Sequence, residues 1–127
     1  LTLLSGCALS RAKADTAEDM TDKAAYQKIS AEEAYEMMAS QEVVVVDVRA
    51  REEYESGHIE NAVLVPNENI GSEMPEALPD KEATLLIYCR SGRRSKDAAE
   101  KLLSLGYQSV YDFGGVIDWP YELVKEG

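Results

Sequence analysis

The stretch Ile87-Tyr88-Cys89-Arg90-Ser91-Gly92-Arg93-Arg94-Ser95-Lys96 decides the fold, because it connects a buried strand to a helix. The apolar run from Thr84 to Tyr88 predicts the strand, and the residue pattern becomes helical from Asp97 onward. The cysteine therefore lies where a strand passes into a helix. In α/β proteins this junction, at the carboxyl ends of the strands, is where functional residues gather.

The segment around the cysteine is positively charged in an acidic protein. Four of the 13 Lys and Arg residues lie between Arg90 and Lys96 with no acid among them, whereas the whole chain has a net charge of -11. A cysteine at a helix N-terminus beside guanidinium groups has its thiolate form stabilised, and the thiolate is the nucleophile. The pattern favours a reactive thiol at Cys89; the alternative is a buried structural cysteine beside a solvated, basic helix start.

The same loop is suited to hold an anion. Backbone N–H groups at a helix N-terminus bind anions, and Gly92 lets the backbone turn inward without a Cβ in the way. The hydroxyls of Ser91 and Ser95 are expected either to donate to the anion or to cap the helix. The predicted anion-binding loop consists of Arg90, Ser91, Gly92, Arg93, Arg94 and Ser95.

Strands and helices alternate along the rest of the chain, which predicts an α/β domain with a parallel sheet and helices on both faces. Ser30-Ala31-Glu32-Glu33 is a capping box at the start of a helix. A short helix from Arg51 to Ser56 is expected to end at Gly57, and another helical piece is expected over Tyr121 to Val124. The other predicted strands are Gln27 to Ile29, Val43 to Val46, Ala62 to Val65 and Ser109 to Tyr111.

Two polar residues, Asp47 and His58, invite a catalytic interpretation. Asp47, at the end of a strand, is either a catalytic carboxylate or a structural partner of Arg49 and nearby backbone donors, and the structural role is favoured. His58 is the only histidine. No second set of ligands accompanies it, so we predict neither a metal site nor catalysis there.

Several motifs resemble those of the rhodanese-like domains, which carry sulfur as a cysteine persulfide. The loop Cys89 to Ser95 followed by Lys-Asp-Ala-Ala resembles the family's active-site loop and following helix. Asp47-Val48-Arg49, Glu53-Tyr54, Gly57-His58-Ile59, Asn61-Ala62 and Pro66 resemble its first signature, and Gly114-Gly115 with Trp119-Pro120 resemble its C-terminal one. The resemblance covers Asp47 to Trp119 in the expected order.

The resemblance implies a five-stranded, mainly parallel sheet and a thiosulfate sulfurtransferase activity without a cofactor. Cys89 would be the catalytic residue, whereas Asp47, Arg49 and His58 would be framework residues. The expected partners are a small anionic sulfur donor and a thiol or cyanide acceptor. Two alternatives stay open: a non-catalytic, partner-binding module, and a Cys-dependent phosphatase or arsenate reductase. The second is disfavoured because such enzymes place Arg six positions after the cysteine, where Ser95 stands here.

The N-terminal segment predicts an exported protein. Leu4-Ser5-Gly6-Cys7 resembles the lipobox of bacterial lipoproteins, in which the cysteine is lipidated, so we expect a signal segment at 1–7 and anchoring on the extracytoplasmic side of a membrane. The alternatives are that Cys7 is incidental or pairs with Cys89. Residues 8–25 are expected to form a flexible linker before one domain at 26–127. The net charge argues against nucleic acid as a partner.

Overall fold

The computed structural model describes residues 26–125. The predicted signal segment 1–7 with its lipidation site Cys7, and the predicted linker 8–25, lie outside the described residues, as do the last two residues of the predicted domain 26–127. Within the described part, no helix has the length and apolar character needed to cross a membrane.

The described chain alternates strands and helices, as its sequence predicts. In chain order these are β1 Gln27–Lys28, α1 Ala31–Ser40, β2 Val44–Asp47, α2 Arg51–Ser56, β3 Val63–Leu64, a 3-10 turn Asn67–Asn69, β4 Thr84–Cys89, α3 Arg93–Ser104, β5 Ser109–Gly115 and a 3-10 turn Val116–Asp118.

The five strands form one sheet in the order β1-β5-β4-β2-β3, and each neighbouring pair is parallel. The predicted fold class, α/β with a five-stranded parallel sheet, is confirmed. Strand β4 lies at the centre between β5 and β2, so the carboxyl end of β4 opens onto the middle of one sheet edge. This is the position from which Cys89 begins the loop to α3.

The two faces of the sheet carry separate hydrophobic clusters because successive strand residues point to opposite faces. Leu85, Ile87 and Cys89 of β4 pack on the face covered by α3, together with Ala98 and Leu102. The opposite cluster is formed by α1, α2, the intervening β4 residues and the C-terminal aromatics, and includes Ala34, Tyr54, Leu86, Tyr88, Phe113 and Trp119. Helices thus cover both faces, as predicted.

The capping box at α1 forms as predicted. The Glu33 N–H donates to Ser30 Oγ at 3.0 Å, and the Ser30 N–H donates to Glu33 Oε1 at 2.9 Å. The short helix α2 ends at Gly57, also as predicted.

Strand β5 is longer than its sequence predicts. It continues past Tyr111 to Gly115, because a bulge between its Asp112 and Gly115 pairings admits Gly114 with a φ of +93°. Such a bulge absorbs one extra residue without ending the ladder. The Asp-Phe-Gly-Gly run therefore belongs to the strand and brings its two glycines alongside the loop that follows Cys89.

Two further expectations need correction. The helix after Cys89 begins at Arg93 rather than Asp97, because its first turn is polar and the apolar spacing starts only at Ala98. The segment Tyr121 to Val124 is not helical: Val124 instead pairs with His58 as an antiparallel bridge with two N–H···O bonds of 2.8 Å. Four residues after a proline are too few to form a stable helix, and the extended pairing satisfies their backbone instead.

Candidate active site

Cys89 is the last residue of the central strand and is fully buried, and it is a free cysteine. The chain turns immediately afterwards, and the N–H of Gly92 donates to Cys89 Sγ at 2.9 Å. Gly92 is the N-cap of the 12-residue helix α3 and has a left-handed φ of +107°, which favours glycine. The sulfur therefore lies at the positive end of the helix dipole, with a backbone donor directed at it.

The loop is held by the end of strand β5. A Cβ on Gly115 would lie 2.0 Å from the carbonyl oxygen of Arg90, and the N–H of Ile117 donates to that same oxygen at 3.2 Å. Gly92 and Gly114 also approach each other closely, since a Cβ on Gly92 would lie 3.7 Å from the Cα of Gly114. Only glycine at position 115 permits this approach of strand and loop.

The cations of the loop divide into two groups. Arg94 forms two hydrogen bonds with the Glu53 carboxylate, of 2.9 and 3.0 Å, and these bonds lower the pKa of Glu53 to about 2. Arg90 and Arg93 are exposed beside Cys89. Arg94 is one of the residues of the predicted anion-binding loop, and its guanidinium is paired with Glu53. The pKa of Arg94 is raised first by its hydrogen bond to Glu53 and further by Cys89, so the Arg94 cation lies within electrostatic reach of the thiol, and Arg90 and Arg93 add exposed positive charge in the same loop.

Neither serine of the loop caps α3, because no side chain caps that helix at Gly92. Ser91 is exposed. Ser95 is fully buried, and its hydroxyl donates to Asp112 Oδ1 at 2.7 Å. The expectation that Ser95 donates to an anion therefore does not fit its position, since its proton is used by a buried carboxylate.

The residues expected to be framework form a buried polar cluster behind the site. Arg49 Nη2 donates to Asp47 Oδ2 at 2.7 Å and also to the carbonyl of Gly57. Tyr88 donates to the same Asp47 oxygen at 2.7 Å and accepts the N–H of Ile59. Burial, then the charge of Asp47, raises the pKa of Tyr88. Asp47 is thus paired with a cation, as the structural interpretation predicts.

His58 is also placed among framework contacts. It is 2% exposed and stacks on the ring of Tyr54 with 3.7 Å between the ring centroids. Its Nδ1 lies 2.7 Å from the carbonyl oxygen of Tyr54, so Nδ1 carries the proton that is donated to that oxygen. Among residues 26–125 there is no group of three or more His, Cys, Asp and Glu side chains arranged to hold a metal ion.

The chain is a five-stranded parallel α/β domain whose central strand ends at a buried cysteine, followed by a cationic loop and a helix. The sequence profile of the rhodanese-like domain matches residues 30–120, and the chain belongs to this family. The sequence resemblance to that family is thereby confirmed.

Three similar proteins illustrate the range of the family. A rhodanese-related protein from Thermoplasma volcanium has 29% identity and a TM-score of 0.69, covering 80% of this chain and 100% of its own. A human single-domain sulfurtransferase has 27% identity and a TM-score of 0.65, covering 72% of this chain and 93% of its own. Among curated proteins, a tRNA uridine(34) hydroxylase from Hamiltonella defensa is 36% identical over 116 residues, 86% of this chain. The chain spans only 33% of that relative's length.

Proposed function

We propose that the protein is a sulfurtransferase that moves a sulfane sulfur from thiosulfate, or a similar anionic donor, to a thiol or cyanide acceptor through a persulfide on Cys89. The observation that carries this proposal is the Gly92 N–H, 2.9 Å from Cys89 Sγ at the start of α3. A preorganised donor at this position stabilises negative charge on sulfur. Small, anionic sulfur compounds match both the buried thiol and the exposed Arg90 and Arg93.

The reaction is a double displacement. The Cys89 thiolate attacks the outer sulfur of thiosulfate; a sulfur–sulfur bond forms to Cys89, the bond to the sulfonate sulfur breaks, and sulfite leaves with the electron pair. The terminal sulfur of the persulfide then carries the negative charge. An acceptor thiolate or cyanide attacks that terminal sulfur, and the Cys89 thiolate departs with the electron pair of the broken bond.

Different residues of the chain have different roles in this reaction. The Gly92 N–H and the dipole of α3 stabilise the negative sulfur in each step. Arg90 and Arg93 raise the local concentration of the anionic donor. Arg94 is assigned a different part: its ion pair with Glu53 fixes the first turn of α3 against α2. The burial of Cys89 keeps bulk water from the persulfide and favours a small reactant.

The decisive experiment is the intact mass and peptide map of the reduced full chain after brief exposure to thiosulfate. We expect a gain of one sulfur atom confined to the Cys89 peptide and lost in Cys89→Ser. The matched control is Cys7→Ser, which removes the chain's other thiol and should keep the adduct. An alkylatable Cys89 that takes up no sulfur would overturn the thiosulfate proposal. Arylphosphatase turnover lost in Cys89→Ser would replace it with a phosphatase.

The hydroxylase activity of the curated relatives is not proposed for this chain. The chain matches only a third of the Hamiltonella defensa protein, so the activity in that name belongs to a much longer polypeptide. A net charge of -11 also opposes association with a polyanion such as tRNA. A non-catalytic binding module would be supported if Cys89→Ala preserved the protein's biological role.

A further inference from the structure

The buried carboxylate of Asp112 is not used by the proposed chemistry, yet it lies next to the active-site loop. Asp112 is 1% exposed and pairs with Ile87 of β4 two residues before Cys89. Within residues 26–125, its carboxylate accepts hydrogen bonds from three uncharged donors: the Ser95 hydroxyl, the Gly114 N–H and the Tyr26 hydroxyl. Burying a carboxylate on neutral donors is costly, so these contacts are expected to hold a part of the fold in place.

The two oxygens of Asp112 face different parts of the fold. Oδ1 accepts from Ser95 Oγ at 2.7 Å and from the Gly114 N–H at 2.9 Å. Oδ2 accepts from Tyr26 at 2.5 Å, on the side of strand β1. Burial, then this hydrogen bond, raises the pKa of the Tyr26 hydroxyl. Only the Oδ1 contacts lead to the active-site loop.

Ser95 connects Asp112 to the first turn of α3. Its hydroxyl also lies 3.1 Å from the Gly92 carbonyl and 3.4 Å from the Gly114 carbonyl, but it has one proton to donate. The proton goes to Asp112 because that acceptor is charged and lies closest. The turn that begins at Gly92 is thereby tied to strand β5.

Gly114 connects the same Asp112 oxygen to the end of strand β5, which packs against the loop. Its left-handed conformation is fixed by the bond from its N–H to Asp112, and the next residue, Gly115, packs against the Arg90 carbonyl. Asp112 Oδ1 therefore binds both segments that flank residues 90–92: the first turn of α3 through Ser95, and the end of β5 through Gly114. The N–H that donates to Cys89 Sγ belongs to Gly92, which lies between these two segments.

We propose that Asp112 is a positioning residue for sulfur transfer: through Ser95 and Gly114 it holds the Gly92 N–H against the sulfur of Cys89. Its role in turnover rests on the proposed function, whereas its effect on the loop does not. Loss of the Oδ1 contacts moves the Gly92 N–H out of line with the negatively charged sulfur of Cys89, so kcat falls. The binding of thiosulfate is preserved because it depends on the exposed arginines.

The test compares four variants of the full chain. Asp112→Ala removes both contacts with the loop, and Ser95→Ala removes one of them. We expect kcat to fall about tenfold or more in Asp112→Ala and by a smaller factor in Ser95→Ala. In both variants we expect KM to change by less than about twofold. Asp112→Asn should retain most of kcat, because its amide oxygen still accepts from Ser95 and Gly114 while its NH2 group donates to the Tyr26 oxygen. Tyr26→Phe is the matched control, because it removes the Oδ2 contact alone and should leave kcat unchanged.

The amide resonance of Gly92 gives a second readout that needs no turnover, and the 14.0 kDa chain is well within the range of NMR. We expect its exchange protection to fall in Asp112→Ala and Ser95→Ala and to persist in Asp112→Asn and Tyr26→Phe. If wild type forms no persulfide, the proposed function fails and the resonance alone decides the positioning role. If Asp112→Ala does not fold, Ser95→Ala decides it. An unchanged Gly92 amide in the folded variants, or an equal loss of kcat in Tyr26→Phe, overturns the proposal.

Discussion

At the scale of single residues, two ion pairs, Asp47–Arg49 and Glu53–Arg94, hold charged side chains near the site. Glu53 is the clearest case, because it accepts the N–H of Ala50 at the start of α2 and also both hydrogen bonds of Arg94. One carboxylate thus caps one helix and holds the first turn of another. Two of the five N–H donors of Arg94 are thereby used inside the protein.

The low pKa of Glu53 predicts an acid-dependent part of stability. Its folded value of about 2 lies below the ordinary 4.5, so the stabilisation is complete above pH 4.5 and is lost as the pH falls toward 2. Glu53→Gln should lower the free energy of unfolding at pH 7 by about 1–2 kcal/mol, a value reduced for partial exposure. Urea denaturation at several pH values should show this difference shrinking in acid.

The control for that series is Glu55→Gln on the same helix. The Glu55 side chain is 64% exposed and lies 4.0 Å from Arg51. Such a pair contributes about 0.5 kcal/mol or less. An equal effect of the two substitutions at pH 7 would show that the Glu53–Arg94 pair has no special importance.

Tyr88 carries a second residue-scale prediction. Its hydroxyl is buried between the Asp47 carboxylate and the Ile59 N–H, so Tyr88→Phe leaves both without that partner. We expect the free energy of unfolding to fall by about 1–3 kcal/mol. Tyr54→Phe is the comparison, because its hydroxyl donates to the Ala62 carbonyl at a half-buried position where water can replace it. Thermal and urea unfolding of both variants should rank Tyr88→Phe as the more damaging.

At the scale of elements, the junction of β4, its loop and α3 depends on the glycines of β5. Gly115→Ala should displace the loop, because the new Cβ would lie 2.0 Å from the Arg90 carbonyl oxygen and 2.5 Å from the Ser91 Cα. The cause is space and not backbone conformation, since Gly115 has an extended φ of -125°. We expect a loss of about 2 kcal/mol or more in stability and a large loss of persulfide formation.

The matched control is Gly71→Ala, where a Cβ would meet nothing within 4 Å. That substitution should change stability by no more than about 1 kcal/mol, with a tendency to increase it, because alanine restricts the unfolded chain. Wild-type persulfide formation by Gly115→Ala would contradict the close approach of β5 and the loop.

The same elements show what the sequence could and could not predict. The strand bearing Cys89, its cationic loop and the framework role of Asp47 follow from local patterns, because each depends on neighbouring residues. The Glu53–Arg94 pair joins residues 41 apart, and the Ser95–Asp112 bond joins residues 17 apart. Local patterns carry no information on such contacts. Asp112-Phe113-Gly114-Gly115 has the composition of a turn, and only the pairing with β4 makes it a bulged strand.

At the scale of the whole molecule, the protein combines a net charge of -11 with a positive active-site loop. The net negative charge opposes the approach of an anion, whereas the exposed Arg90 and Arg93 supply positive charge in the loop that follows Cys89. Because the first turn of α3 contains no acid, this local field is not cancelled by its own helix. The KM for an anionic sulfur donor should therefore depend more on where a positive charge lies than on the net charge of the protein.

Two substitutions that change the net charge of the protein by the same amount test this idea. Arg93→Gln and Lys81→Gln each change the net charge from -11 to -12, but Lys81 is an exposed residue of the turn before β4, at the opposite end of that strand from Cys89. We expect Arg93→Gln to raise the KM for thiosulfate about twofold or more at low salt with little change in kcat, and Lys81→Gln to leave both unchanged. The difference should fade as ionic strength rises above about 0.2 M, because exposed charges are then screened beyond a few ångströms. Equal effects of the two substitutions would mean that the total charge governs the approach of the donor, and the cationic loop would then serve only to stabilise the sulfur after binding.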